Sequence, residues 1–279
     1  MSTVAILGAG ELGAACAHAL AAADRVRRVV LVDDVAAAGK ALDIQQSGPI
    51  DLFHTTLEGT ADLAAVIGVD VCVIADRMGA PAGEWTGDAA LQLVRRLTEM
   101  SAQAPFVFAG AKAPELMRQA AVELHVPRVR MLGSAPAALA SAARAITALD
   151  AGCSATDVAL SVVGAPGAFV IPWSQASIAG FAATSVLSQA DLARVEARVA
   201  RLWPPGPETL GVVAARLVEG ILEGSRRTFP AFTVLDGELG VRQVVAALPV
   251  LVSRRGLGEV RMPRLTGREQ VQLESAIGR

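Results

Sequence analysis

Val4 to Gly13 read VAILGAGELG, an apolar run that ends in glycines at positions 8, 10 and 13, spaced G-x-G-x-x-G. The stretch predicts a strand running into a helix. Gly8 suits the tight turn, Gly10 carries no Cβ to block a pyrophosphate, and Gly13 lets the helix pack close to the strand. The helix N-terminus would then turn unpaired N–H groups towards phosphate oxygens. Glycines alone are weak support, because plain strand-to-helix turns use them too. The next twenty residues strengthen the reading: Ala14 to Ala23 is helical by propensity, Val29 to Val32 is a second β-branched run, and that run ends in Asp33. An acid at the tip of this strand is placed to accept from a ribose diol and to repel a 2′-phosphate, so the expected cofactor is NAD, with NADP disfavoured by Asp33.

With 279 residues the chain can bury a sizeable core and suits two modest α/β domains. A dimer or tetramer is compatible with that size. Although 53% of residues are hydrophobic, alanine inflates the figure, and no window holds the roughly 18 consecutive apolar residues of a membrane span. The segment MSTVAILG enters a strand directly, without a basic n-region. A soluble, cytoplasmic protein with no membrane partner is expected. A net charge of −2 without a Lys/Arg cluster gives no footprint for nucleic acid. Cys16, Cys72 and Cys153 are widely separated in apolar or small-residue sequence and read as buried thiols, with no disulfide or zinc framework and no metal site.

Further along, Ala36 to Ile44 predicts a short helix broken at Ser47-Gly48-Pro49, and Ala61 to Ile67 another short helix. Val71 to Ala75 is an uninterrupted apolar run of the kind covered on both faces of a parallel sheet. Asp76 to Gly87, rich in glycine and small residues, predicts a loop at the carboxyl end of that strand, where doubly wound sheets place ligands. Helices at Asp88 to Met100 and Pro114 to Leu124 alternate with strands at Pro105 to Phe108 and Val129 to Leu132. This alternation predicts an α/β, doubly wound parallel sheet over residues 1–141. Residues 142–279 are patterned as a mixed α+β domain. It has a strand at Val158 to Val163, a turn at 164–168 from which Phe169 to Pro172 pairs back, and a capping-box start at Ser188 to Asp191 for a helix towards Leu202. A helix at Val212 to Leu222, strands near Phe232 to Leu235 and Leu248 to Ser253, and a last helix after Thr266 complete it.

Taken together, GAGELG (8–13), LVDD (31–34), GKALDI (39–44), DVCVIA (70–75), LDGELGV (235–241) and RLTGREQVQLESA (264–276) resemble the lactate and malate dehydrogenase family over nearly the whole chain. The resemblance implies an NAD-binding Rossmann domain followed by a mixed α+β domain, and the interconversion of a 2-hydroxy acid with a 2-keto acid. It implies that Gly8, Gly10, Glu11, Leu12, Gly13, Asp33 and Ala75 hold a small-molecule dinucleotide.

The residues that the family's chemistry requires are replaced. Hydride reduction of a keto group needs a proton donor of near-neutral pKa, which the family supplies as a histidine in a G-G-H-G-D turn. Here the turn is Gly164-Ala165-Pro166-Gly167-Ala168, with Pro166 at the histidine position. The orienting aspartate and the substrate-binding arginine align with Leu139 and Ala142, and alanine offers no bidentate fork for a carboxylate. Arg144 is the next arginine along. In the family's mobile loop the arginine positions correspond to Ala80 and Thr86, while Arg77 stands earlier, at the strand end; Ala109-Gly110-Ala111 replaces a T-N-P turn. The apolar periodicity is intact, which predicts a folded protein that lost or exchanged its chemistry.

His18, His54 and His125 read as surface or packing histidines. Lys112, Ser174, Glu84 and Asp88 are the polar residues near the implied pocket, and of these Lys112 and Ser174 are the candidates for a proton donor. Trp85 could cover a ligand or simply pack. Three functions stay open: an NAD(H)-binding relative that cannot oxidise lactate or malate; an NAD-dependent oxidoreductase for a non-carboxylate alcohol or carbonyl; and a structural or regulatory subunit with an empty groove. General acid catalysis alone is worth about 10² to 10⁴-fold, so lactate and malate turnover is expected to be absent.

Overall fold

A computed structural model describes residues 2–34, 36–79 and 83–278. The glycine stretch behaves as its sequence predicts: β1 (Thr3–Leu7) runs into α1 (Glu11–Ala22), then β2 (Arg28–Val32), α2 (Ala36–Asp51) and β3 (Thr56–Thr60). A helical turn at Leu63–Val66 precedes β4 (Val71–Ile74), which leads into a two-stranded hairpin, β5 (Asp76–Arg77) and β6 (Gly83–Glu84). The alternation continues with α3 (Gly87–Met100), β7 (Phe106–Phe108), α4 (Ala113–Glu123), β8 (Met131–Gly133) and α5 (Ala135–Ala151). Short strands come next: β9 (Val158–Ala159), β10 (Val163–Ala165), β11 (Ala168–Val170), β12 (Ser177–Ile178) and β13 (Phe181–Ala182). The chain then forms α6 (Ala183–Val186), α7 (Gln189–Ala200), α8 (Pro207–Glu223), β14 (Thr228–Asp236), β15 (Arg242–Ser253), β16 (Gly256–Val260) and α9 (Gly267–Ala276).

Strands β3-β2-β1-β4-β7-β8 lie side by side and all parallel, the doubly wound order. Their apolar runs are what this arrangement demands, since helices cover both faces: Val4 to Leu7, Val71 to Ile74 and Phe106 to Phe108 are all buried. The sheet does not stop there. β14 pairs antiparallel with β8, and β15, β10 and β11 extend it. Residues 141 and 142 lie inside α5, and α8 from the second half lies against α1. That contact is close because it is made of small residues: a Cβ on Gly211 would stand 2.6 Å from the Ala15 Cβ and 2.7 Å from the Cys16 nitrogen. The alanines of α1 thus serve helix packing as well as helix propensity.

Four local expectations are corrected. Helix α2 does not break at 47–49 but continues to Asp51: Pro49 in its last turn costs one intrahelical hydrogen bond without ending the helix there, and Gly48 packs against the Phe53 ring. Asp76 to Gly87 is not a plain loop, since its ends pair as β5 and β6. The strand expected over 158–163 is split: β9 joins β12 and β13 in a small separate sheet, and β10 joins β11 and β15. Gly164, at φ +115°, makes the second arrangement fit: a Cβ there would stand 2.6 Å from the Ala168 carbonyl oxygen. Strand β16 forms where the sequence pattern predicts no element. The capping box of α7 forms as predicted, with Ser188 and Asp191 reciprocally bonded. Among the described residues, no helix is long and apolar enough to cross a membrane.

Candidate functional site

The glycine loop is closed by the residue two positions beyond β4. Gly8, at φ +112°, donates to the Val32 carbonyl at 2.8 Å, and Gly10 donates to the Asp76 carbonyl at 3.0 Å. Gly10 is the N-cap of α1 and has no side chain to satisfy the first N–H groups of the helix. The Asp76 side chain does this from across the groove, accepting from Gly13 N at 2.8 Å and Leu12 N at 3.2 Å. A Cβ on Gly10 would collide with that carboxylate, and one on Gly13 with the Gly8 carbonyl oxygen. Burial pushes the Asp76 carboxyl above its usual range; the Gly13 and Leu12 N–H groups pull it back, and nearby Glu11 pushes it further up.

Asp33 is likewise engaged. Its Oδ2 accepts from Ala9 N at 2.8 Å and Met78 N at 2.7 Å, and its Oδ1 from Asp34 N at 2.9 Å. The acid expected to meet a ribose diol therefore ties the glycine loop to the segment after β5. Ala75 is buried beside Gly13 and donates to the Leu7 carbonyl.

The other end of the hairpin repeats the pattern at a second helix. Glu84 accepts from Lys112 N at 2.7 Å and Ala111 N at 3.0 Å, the main-chain donors that open α4, and a Cβ on Gly110 would collide with it. Between the two carboxylates, the Trp85 indole donates to the Leu7 carbonyl at 3.0 Å, and the Arg77 guanidinium lies 5.0 Å from the Trp85 ring centre. Asp76 is thus seated on the N-terminus of α1, favoured by its N–H groups and the positive end of its dipole, and Glu84 on the turn that leads into α4.

The dinucleotide expected from the sequence does not fit this groove as folded. Its phosphates would need the Leu12 and Gly13 N–H groups that Asp76 holds. The expectation of unpaired N–H groups at the start of α1 is therefore corrected; the donors are present, and the chain itself supplies the anion.

On the substrate side, Leu139, 1% exposed, lines a cavity of about 80 Å³ together with Phe169, Ile171, Val199, Trp203 and Glu196. Ligand pockets usually measure about 300–1,000 Å³. Aromatic rings fill the neighbourhood: Phe169 and Trp203 lie 4.7 Å apart between centroids, and Phe232, fully buried, is 6.0 Å from Trp203 in an edge-on arrangement. Among the described residues, Glu196 is the one ionisable residue lining that cavity, and it accepts from the Trp173 indole at 2.8 Å. Pro166 is exposed on the β10–β11 turn, and Ala142 is half-buried on α5.

The two candidate proton donors are placed elsewhere. Ser174 donates its hydroxyl to Glu269 at 2.6 Å and its N–H to the same carboxylate at 3.0 Å, which docks the start of α9. Burial works to raise the Glu269 carboxyl, but the bonds from Ser174 and Thr266 outweigh it and hold the group below its usual range. Lys112 is exposed, and its main-chain N–H makes the bond to Glu84. Asp88 and Thr86 are exposed; Ala80 lies outside the described residues. His18 is 3.4 Å from Asp51 and His54 is 3.1 Å from Asp24, all at the surface, so two of the histidines have carboxylate partners distant in sequence. Cys16 and Cys72 are buried, and burial pushes both thiols up to about 12; Cys153 is half-buried, and all three are free. What sequence reading missed is the role of Asp76 and Glu84; the signal was two acids bracketing a glycine-rich segment at the carboxyl end of β4.

No family model matches the chain. Among curated proteins, the chain is 30% identical to the malate dehydrogenase of Thioalkalivibrio sulfidiphilus over 282 residues, which cover 93% of this chain and 91% of that one. Among solved structures, the malate dehydrogenase from Salinibacter ruber superposes with a TM-score of 0.88 at 25% identity, covering 99% of this chain and 94% of the other. The lactate dehydrogenase from Cryptosporidium parvum, solved with lactic acid and nicotinamide adenine dinucleotide, superposes with the same TM-score at 19% identity over 99% and 94% of the two chains.

Proposed function

The chain belongs to the lactate and malate dehydrogenase family, and we propose that it is a catalytically silent member, a cytoplasmic regulatory or partner subunit that does not oxidise lactate or malate. One observation carries this reading. Where a 2-keto acid needs a cation for its carboxylate and a titratable group for its carbonyl, the chain has Leu139 in a small apolar cavity whose single ionisable lining residue, among the described residues, is Glu196. A buried carboxylate without a cationic partner is strongly disfavoured, and a second carboxylate beside it adds repulsion. The reading of a different oxidoreductase needs Lys112 or Ser174 at the reacting centre. Ser174 is committed to Glu269, and Lys112 has an exposed side chain, so nothing favours that alternative.

NAD is the nucleotide that the glycine spacing and Asp33 suit, in a conformation of the groove other than the closed one. Homodimeric or tetrameric assembly is part of the same proposal, and neither nucleic acid nor membrane is among its partners. The test is turnover of oxaloacetate, pyruvate, malate and lactate, followed by NADH absorbance. The expected result is no rate above the buffer blank; turnover at ordinary enzyme rates would overturn the reading.

A further inference from the structure

The closed groove points to more than lost chemistry. Asp76 places a carboxylate on the N–H groups of Leu12 and Gly13 in the first turn of α1, and Glu84 places one on those of Ala111 and Lys112, the turn that leads into α4, on either side of the same central strand. Asp33 bonds Met78 of the same segment, and the Trp85 indole bonds the end of β1. Four independent attachments thus draw the β5–β6 segment onto the groove from both ends. A capping interaction at a helix start normally comes from the local N-cap residue; for α1 a residue more than sixty positions away supplies it, and the turn before α4 is held from nearly thirty positions away.

We propose that residues 76–79 and 83–85, anchored through Asp76 and Glu84, form an autoinhibitory strap, with Asp76 an internal anion that competes with a dinucleotide for the same N–H groups. The proposal rests on the family reading. In the closed state a pyrophosphate would meet the Asp76 carboxylate as both an occupant and a like charge, with Glu11 adding to the repulsion. Nucleotide is admitted only when the strap leaves, so its apparent affinity is reduced by the fraction of molecules that are open. Glycines at 10 and 110 leave the room into which the two carboxylates fit. The same absence of Cβ that would accommodate a phosphate accommodates a side-chain carboxylate, so the glycine fingerprint persists with a different ligand.

The test is NADH titration by fluorescence on the full chain and on the Asp76→Ala/Glu84→Ala double variant, with Asp76→Asn/Glu84→Gln as the variant that keeps side-chain shape. Removal of the carboxylates is expected to tighten NADH binding about tenfold or more, and the neutral isosteres by less. Equal affinities, or no binding by any of the three proteins at millimolar NADH, would overturn the strap. Hydrogen exchange on the unmodified protein gives a second measurement. Without nucleotide, the amides of Leu12, Gly13, Ala111 and Lys112 are expected to be protected, and rapid exchange of all four would equally overturn it. Substrate turnover is assayed separately, so failure of the strap and failure of the silent-enzyme reading give different results.

Discussion

The Asp76 carboxylate accepts from the Gly13 main-chain N–H at 2.8 Å, across 63 positions of sequence. The anion that completes the N-terminus of α1 therefore belongs to the fold. Replacing an N-cap acid by alanine costs about 0.5–2 kcal/mol. Asp76→Ala is accordingly expected to lower stability by about 1 kcal/mol in urea unfolding, and Asp76→Asn by less, since an amide oxygen still accepts. An unchanged midpoint in Asp76→Ala would mean that solvent caps the helix in solution.

Gly10 offers a sharper probe of the same contact. Its backbone, at φ −66°, is open to any residue, and the nearest obstacle to a side chain is the Asp76 carboxylate. Gly10→Ala is expected to destabilise by about 1–3 kcal/mol, the range of overpacking substitutions. In the Asp76→Ala background most of that cost should disappear, giving a large coupling in a double-mutant cycle. Additive effects would place Asp76 away from Gly10.

The aromatic cluster that fills the substrate side is a structural element. Phe232 is fully buried against Phe169 and Trp203. Phe232→Ala should cost about 3–5 kcal/mol through lost burial and the cavity left behind. Introducing histidine alone, as Pro166→His, is expected to produce no lactate or malate turnover, because Leu139 and Ala142 still supply neither an orienting acid nor a carboxylate clamp.

Acid sensitivity should pass through Glu269. Its folded-state pKa lies below the ordinary 4.5, so the stability it contributes is present above about that pH and is lost as pH falls through the folded value. Comparing urea midpoints at about pH 6 and about pH 3.5, the wild-type chain should lose more stability than Glu269→Gln. Asp76, pushed upward by burial, acts in the opposite sense: ionisation takes back part of the stability that its capping bonds contribute as pH rises through its window, so Asp76→Asn should steepen the loss on acidification.

Thiol reactivity separates the three cysteines. Cys16 and Cys72 are buried with thiols held at about 12, whereas Cys153 is half-buried. A disulfide reagent is expected to label Cys153 alone in the folded chain and all three in denaturant. Rapid labelling of Cys72 under native conditions would contradict its complete burial in β4.

Much of this was legible in the sequence because it depends on neighbours. The β1–α1 unit, the buried parallel strands at 71–74 and 106–108, and the capping box at Ser188 are set by periodicity, glycine spacing and local hydrogen bonding. Pro166, Leu139 and Ala142 could also be read directly, since a missing titratable group needs no coordinates. What occupies the groove could not be read. Asp76, Glu84 and Trp85 sit in a glycine-rich segment whose composition predicts a loop, and only the parallel order of β1, β4 and β7 brings its two ends to the starts of α1 and α4. The sequence by itself determined a helix N-terminus that needs an anion, because four N–H groups there have no partner within the helix. The tertiary structure decided that the anion is Asp76, because the crossover from β4 delivers that carboxylate to the spot where Gly10 leaves room for it.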